Sequence, residues 1–114
     1  MSLGQKIVNE AKKHLGKPVE YGEMGPDKFD PAGLVVYVFK QAANISLPHN
    51  LKQLINMGKN IKQKDLQLGD LVFPSAGHVG IYAGNGEMIQ APYTCGSVNC
   101  KEIPCFYVGR RVIK

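Results

Sequence analysis

The period of the apolar positions changes near Lys64. Ahead of it, in "GQKIVNEAKKHLGKP", Ile7, Val8, Ala11 and Leu15 recur at helical spacing on one face, and Gly16 and Pro18 close the segment. His14 in that helix reads as a surface or half-buried histidine rather than a ligand. A second helix is predicted from Pro31, with Leu34, Val35, Val38, Phe39 and Ala42 on a broad apolar face. Asp30 is a good N-cap, because its carboxylate can accept a first-turn N–H. Pro31 then takes the first helical position, where a missing N–H costs nothing. Val35, Val36, Val38 and Phe39 are poor formers of an isolated helix, so this one is expected to be central and buried. "HNLKQLINMGKN" predicts a short third helix, capped by Asn50 and ended at Gly58. His49, in "LPHN", reads as a loop histidine facing solvent. "VEYGEMGPDKFD" is a loop punctuated by Gly22 and Gly25-Pro26.

Beyond Lys64, "GDLVFP", "HVGIYAG", "EMIQAP" and "FYVGRRVI" read as strands separated by turn residues. Helices first and strands after predict an α+β domain, with the helices packed on one face of an antiparallel sheet. The hairpin within "GHVGIYAGNGEMIQAP" has two solutions. A two-residue Asn85-Gly86 turn puts His78 and Gln90 on opposite faces. A three-residue loop, Gly84 to Gly86, pairs Ala83 with Glu87 and Gly80 with Gln90, so that His78 and Gln90 become diagonal neighbours on one face. Parity alone does not choose between them.

The length, 114 residues with 44% apolar, suits one domain over residues 1–114. Residues 1–3 are compatible with a cloning remnant, so the lack of a basic-then-apolar leader says little about compartment. No apolar run is long enough for membrane insertion. The net charge of +5 favours anionic partners in general. The lysines are nevertheless scattered, and no basic stripe interleaves with aromatics as in single-strand binders, so nucleic acid is not expected as a partner. Cys95, Cys100 and Cys105 are spaced by five and five, with no histidine after them, which is not a familiar zinc spacing. One disulfide plus a free thiol, and three separate thiols, both remain open. No metal or cofactor is implied.

Six ordered pieces, "AKKHLGKPVEYGEMGPDKFD", "GLVVYVFKQA", "ISLPHN", "DLQLGDLVF", "GHVGIYAGNGEMIQAP" and "GRRVI", resemble the NlpC-type cell-wall cysteine peptidases. These are papain-related enzymes that cut peptidoglycan stem peptides, and the resemblance runs from about Ile7 to Ile113. It implies a papain-like NlpC-type fold. It also implies a helix start reading Asp-Cys-Ser-Gly, where backbone dipoles lower the pKa of a nucleophilic thiol. A histidine on the facing sheet would be its base, and a polar residue on the next strand would orient that base. Here Asp30 matches, but Pro31 takes the nucleophile position and Ala32 the serine position. His78 matches the base and Gln90 the orienter, and the family's spacing of the two favours the three-residue loop. Tyr21 matches a tyrosine that, with the aspartate and the serine, helps hold the peptide's N-terminal end.

The resemblance therefore implies a domain that keeps its groove and lacks its nucleophile. The expected function is binding of stem peptide or a protein partner without cleavage, by a monomer outside the cell or at the wall. The alternative is a working endopeptidase that uses a relocated thiol such as Cys95 or a water activated by His78. The segment "TCGSVNCKEIPC" lacks the helical period that a relocated helix-start nucleophile would need.

Overall fold

A computed structural model describes residues 2–93 and 96–113. Helices α1 (Leu3–Lys12), α2 (Pro31–Ala43) and α3 (Leu51–Leu54) precede six strands: β1 (Lys59–Ile61), β2 (Leu71–Ser75), β3 (His78–Gly84), β4 (Glu87–Gln90), β5 (Asn99–Glu102) and β6 (Val108–Arg111). The strands form one antiparallel sheet in the order β1-β6-β2-β3-β4-β5. This is the α+β architecture the sequence predicts. Helices α1 and α2 pack on each other and on β3, so the core lies between the helix pair and one sheet face. Phe29, Phe39 and Phe73 are fully buried there.

Helix α2 forms as its caps dictate. Asp30 accepts from Gly33 N–H, Pro31 is in the first turn, and Asn44 closes the helix in the left-handed conformation at φ 54°. Leu34, Val35, Val38 and Phe39 are fully buried, which offsets their weak intrinsic helix preference. Asn50 caps α3 by accepting from Gln53 N–H.

Helix α1 is shorter than its apolar period suggests. It ends at Lys12, and Leu15 is 44% exposed. His14 takes the inward place in the turn that follows and is only 5% exposed, a correction to its surface or half-buried assignment. The ring is satisfied on both sides. Lys17 Nζ donates to Nδ1 at 3.0 Å, and Nε2 pairs with Glu10 at 2.9 Å. Its faces meet Phe29 and Tyr37 edge-on.

The β3–β4 hairpin combines both sequence solutions. Gly84 pairs with Glu87 across the two-residue Asn85-Gly86 turn, so the expected Ala83–Glu87 pair does not form. A register shift between Tyr82 and Gly84 leaves Ala83 as the extra residue, and this bulge restores the Gly80–Gln90 pairing. His78 and Gln90 consequently share a face. A second shift, between Val72 and Ser75, lets β2 meet His78 directly after the Ala76-Gly77 turn. At the far side of the sheet, fully buried Asp70 is gripped by Arg111 through Nε and Nη2, both at 2.8 Å. This bidentate pair ties β6 to the segment leading into β2.

Candidate functional site

The start of α2 and the loop before it form one hydrogen-bonded unit. Asp30 N–H donates to Glu23 C=O at 2.8 Å, and Gly22 N–H donates to Asp30 Oδ2 at 3.1 Å. Asp30 Oδ1 accepts the Gly33 N–H that caps the helix. A Cβ on Gly33 would lie 2.2 Å from Glu23 C=O, so only glycine lets the loop approach the helix this closely. The loop therefore holds Tyr21 beside the helix start, 85% exposed and stacked on Tyr93 with ring centroids 6.5 Å apart. Burial, followed by the charge of Asp30 and by Tyr21, pushes the Tyr93 phenol above its ordinary range.

A groove of about 330 Å3 opens here, lined among others by Tyr21, Asp30, Pro31, Ala32, His49 and Tyr93. Four residues singled out in the sequence (Tyr21, Asp30, Pro31 and Ala32) thus line one cleft. His49 corrects the sequence reading. It is not a free solvent-facing side chain, because its Nε2 lies 2.8 Å from Asp30 Oδ1 and 2.7 Å from Oδ2. With Gly22 and Gly33, it fills the acceptor positions of that carboxylate. Neither helical nor strand periodicity marks a loop histidine nineteen residues from its partner, so only the fold could reveal this contact. Tyr93 escaped notice for the same reason, since it follows the last strand of the hairpin as an isolated aromatic.

His78 and Gln90 are not among the residues lining that groove. They form a second cluster on neighbouring strands. His78 Nε2 meets Gln90 Oε1 at 2.6 Å, and Gln90 Nε2 donates to Asn99 Oδ1 at 3.1 Å. The second bond fixes the orientation of the Gln90 amide, so its oxygen faces the imidazole. With both amides in this orientation, a neutral His78 donates from Nε2 and keeps Nδ1 as the acceptor nitrogen. This tautomer is what a general base needs, and the relay crosses β3, β4 and β5. Asn99 lies in the polar edge strand "NCKE", which has no apolar alternation to mark it in the sequence.

Pro31 offers no nucleophile at the first position of α2. Cys100 and Cys105 are free thiols, so neither is in a disulfide. Burial and the neighbouring Glu87 carboxylate push the Cys100 thiol above its usual range, the opposite of an activated nucleophile. Cys105 is exposed and donates to Pro74 C=O at 3.1 Å. Cys95 lies outside the described residues. Among the described residues, no group of three or more His, Cys, Asp or Glu side chains is arranged to hold a metal.

A family model described as "NlpC/P60 family" matches residues 16–114. A curated relative, "Probable endopeptidase p60" of Listeria grayi, is 46% identical over 89 residues; the match covers 75% of this chain and 17% of the relative. The chain thus spans under a fifth of that protein. The NlpC/p60 domain of the peptidoglycan hydrolase SagA superposes with a TM-score of 0.85 at 30% identity, covering 95% of this chain and 97% of that one. RipD of Mycobacterium tuberculosis, described as a non-catalytic NlpC/p60 domain protein with an "adaptation to peptidoglycan-binding function", shares the fold with a TM-score of 0.85 at 21% identity, covering 99% of each chain.

Proposed function

The chain belongs to the NlpC/P60 family, and from that premise we propose that it is a non-hydrolysing member that holds a cell-wall stem peptide in the groove at the start of α2. The observation that carries the reading is Pro31. A covalent mechanism needs a thiol or hydroxyl at the helix start, and a pyrrolidine ring has neither. In triad enzymes, losing the nucleophile removes roughly 10⁶ in rate and leaves about 10³–10⁴ over water from binding and polarisation. A fold that keeps its binding walls without the nucleophile would retain mainly affinity.

Several features support peptide binding. Tyr21 and Tyr93 offer two exposed aromatic faces, and Asp30 offers an anionic end that suits a peptide ammonium. His49 shares that carboxylate, so an incoming ammonium would have to displace it. Ala32 supplies no hydroxyl, which removes one of the three groups the family uses at this end. RipD offers a precedent for the same fold in a binding role. The cell surface or wall is the proposed place of action, in keeping with the cell-wall roles of the family. No helix among the described residues is long and apolar enough to cross a membrane.

The His78–Gln90–Asn99 relay favours a second reading, slow hydrolysis by a water that His78 activates. A lone imidazole without a nucleophile or metal contributes only about 10²–10⁴. Cys95 is the other route, as a relocated thiol. Titration calorimetry with an L-alanyl-γ-D-glutamyl tripeptide separates the readings. Saturable binding, weakened several-fold by Tyr21→Ala and by Tyr93→Ala, is expected. Heat from turnover, or no binding at all, would contradict the proposal.

A further inference from the structure

A second concavity of about 670 Å3 lies at the opposite edge of the sheet, where β1 is the outer strand. Its lining includes Lys59, Lys62, Lys64 and Arg111 against one carboxylate, Asp65. This is a local excess of positive charge on a chain whose net charge is only +5. The four cations are not equivalent. Arg111 has three of its five N–H donors engaged, with two bonds to Asp70 and one from Nη2 to Asp65 C=O at 3.0 Å. The three lysines are exposed, and none of their ammonium groups has a hydrogen-bond or ion-pair partner among the described residues.

Protection of an open sheet edge explains one of them. A lysine on an edge strand blocks pairing with another sheet, and Lys59 sits in β1. Lys62 and Lys64 follow the strand, at the start of and within the 3₁₀ turn Gln63–Asp65, where there is no edge to protect. They bring charge to the wall of a concavity instead.

We propose that this concavity is a binding site for a base-free polyanion whose charges are phosphodiesters repeated along a flexible chain. Two observations favour a base-free line of anions over a single anion and over nucleic acid. The guanidinium, the group best shaped to grip one phosphate by two parallel bonds, is already held by Asp70. What remains is three flexible point charges. From Lys59 to Lys62 the chain advances by three residues, or about 10 Å at strand rise, so the positive charge is spread over a length and matches a line of anions better than a single one. The lining also contains no aromatic side chain, only Ile61 and Leu66 as apolar members. Nucleobases would have nothing to stack on, which disfavours single-stranded nucleic acid. The site shares no lining residue with the groove at α2, so both could be occupied in one molecule.

The test uses the whole chain with fluorescently labelled poly(glycerol phosphate) and, in parallel, single-stranded DNA of equal charge. The polymer should bind at low salt, with log K falling against log salt at a slope of about −2 to −3, as expected for three neutralised phosphates. Lys59→Gln, Lys62→Gln and Lys64→Gln together should weaken it at least ten-fold and flatten the slope. A control removing the same charge elsewhere, Lys12→Gln, Lys40→Gln and Lys101→Gln, should change affinity by no more than about two-fold. Circular dichroism melts would confirm that both triple variants fold. Equal losses in the two variants would overturn the proposal in favour of diffuse charge. Tighter binding of the DNA that depends on Lys59, Lys62 and Lys64 would overturn it in favour of nucleic acid, and absence of polymer binding at low salt would overturn it outright.

Discussion

Replacing Asp30 separates its structural role from its proposed ligand role. Its carboxylate caps α2 at Gly33, holds the Tyr21 loop at Gly22, and pairs with His49. In Asp30→Ala the lost cap costs about 1 kcal/mol, within a usual range of roughly 0.5–2. The Gly22 N–H loses a charged acceptor, for about 1 more. The His49 pair adds less than about 1, because the ring is 26% exposed and solvent screens it. The sum is about 2–3 kcal/mol, which at a urea m-value of roughly 1–3 kcal/mol/M lowers the unfolding midpoint by about 0.7–3 M. Asp30→Asn keeps an oxygen for the Gly33 cap but not a second one for Gly22, so about half of that loss is expected. Stability should therefore rank wild type above Asn above Ala. Affinity for an ammonium-ended stem peptide should instead fall equally in both variants, because both remove the charge. Equal stability of the Asn and Ala variants would refute the cap argument. Undiminished peptide affinity in Asp30→Asn would refute the carboxylate's place in recognition.

Other perturbations probe the rest of the account. Pro31→Cys with Ala32→Ser should be tolerated at about 0.5–3 kcal/mol, and should give a thiol whose alkylation titrates below the free-cysteine value of about 8.5. Weak peptidase activity should follow, improved by Gln90→His; an apparent pKa at or above about 8.5 would show that the helix start and His78 do not work together. Arg111→Ala leaves fully buried Asp70 without its cation and should cost about 3–5 kcal/mol in urea unfolding; a loss below about 1 would mean the pair is not structural. The Cys100 thiol, held above its ordinary range, should stay protonated at neutral pH, and its alkylation, read by peptide mass mapping, should accelerate only above that range. Fast modification at pH 7 would contradict the stated effect of burial and Glu87.

The helices and the central strands were legible because their chemistry is local. Asp30-Pro31 is a complete helix start in two residues, and β3 with β4 carries its own turn. Edge strands β1 and β5 were not legible. "KNI" is three residues long and "NCKE" is polar, and both are strands because a neighbouring strand offers a ladder. Parity of the hairpin failed as a criterion because the Ala83 bulge inserts one residue that no propensity marks. In the groove, Tyr21, Asp30, Pro31 and Ala32 were reached through the family resemblance, which matches them to the residues around one helix start. His49, Tyr93 and Asn99 were missed because each reaches its partner through tertiary contact. His14 shows the same limit in the core, where Glu10, Lys17 and two rings make burial of an imidazole tolerable.

The most direct test of the central claim is a single NMR sample holding the chain and an isotope-labelled L-alanyl-γ-D-glutamyl tripeptide, observed over several days. The account predicts saturable shifts of the Tyr21, Asp30 and Tyr93 resonances while the peptide signals stay those of the intact molecule. Cleavage products that disappear after thiol alkylation, or an intact peptide that shifts no groove resonance, would contradict it.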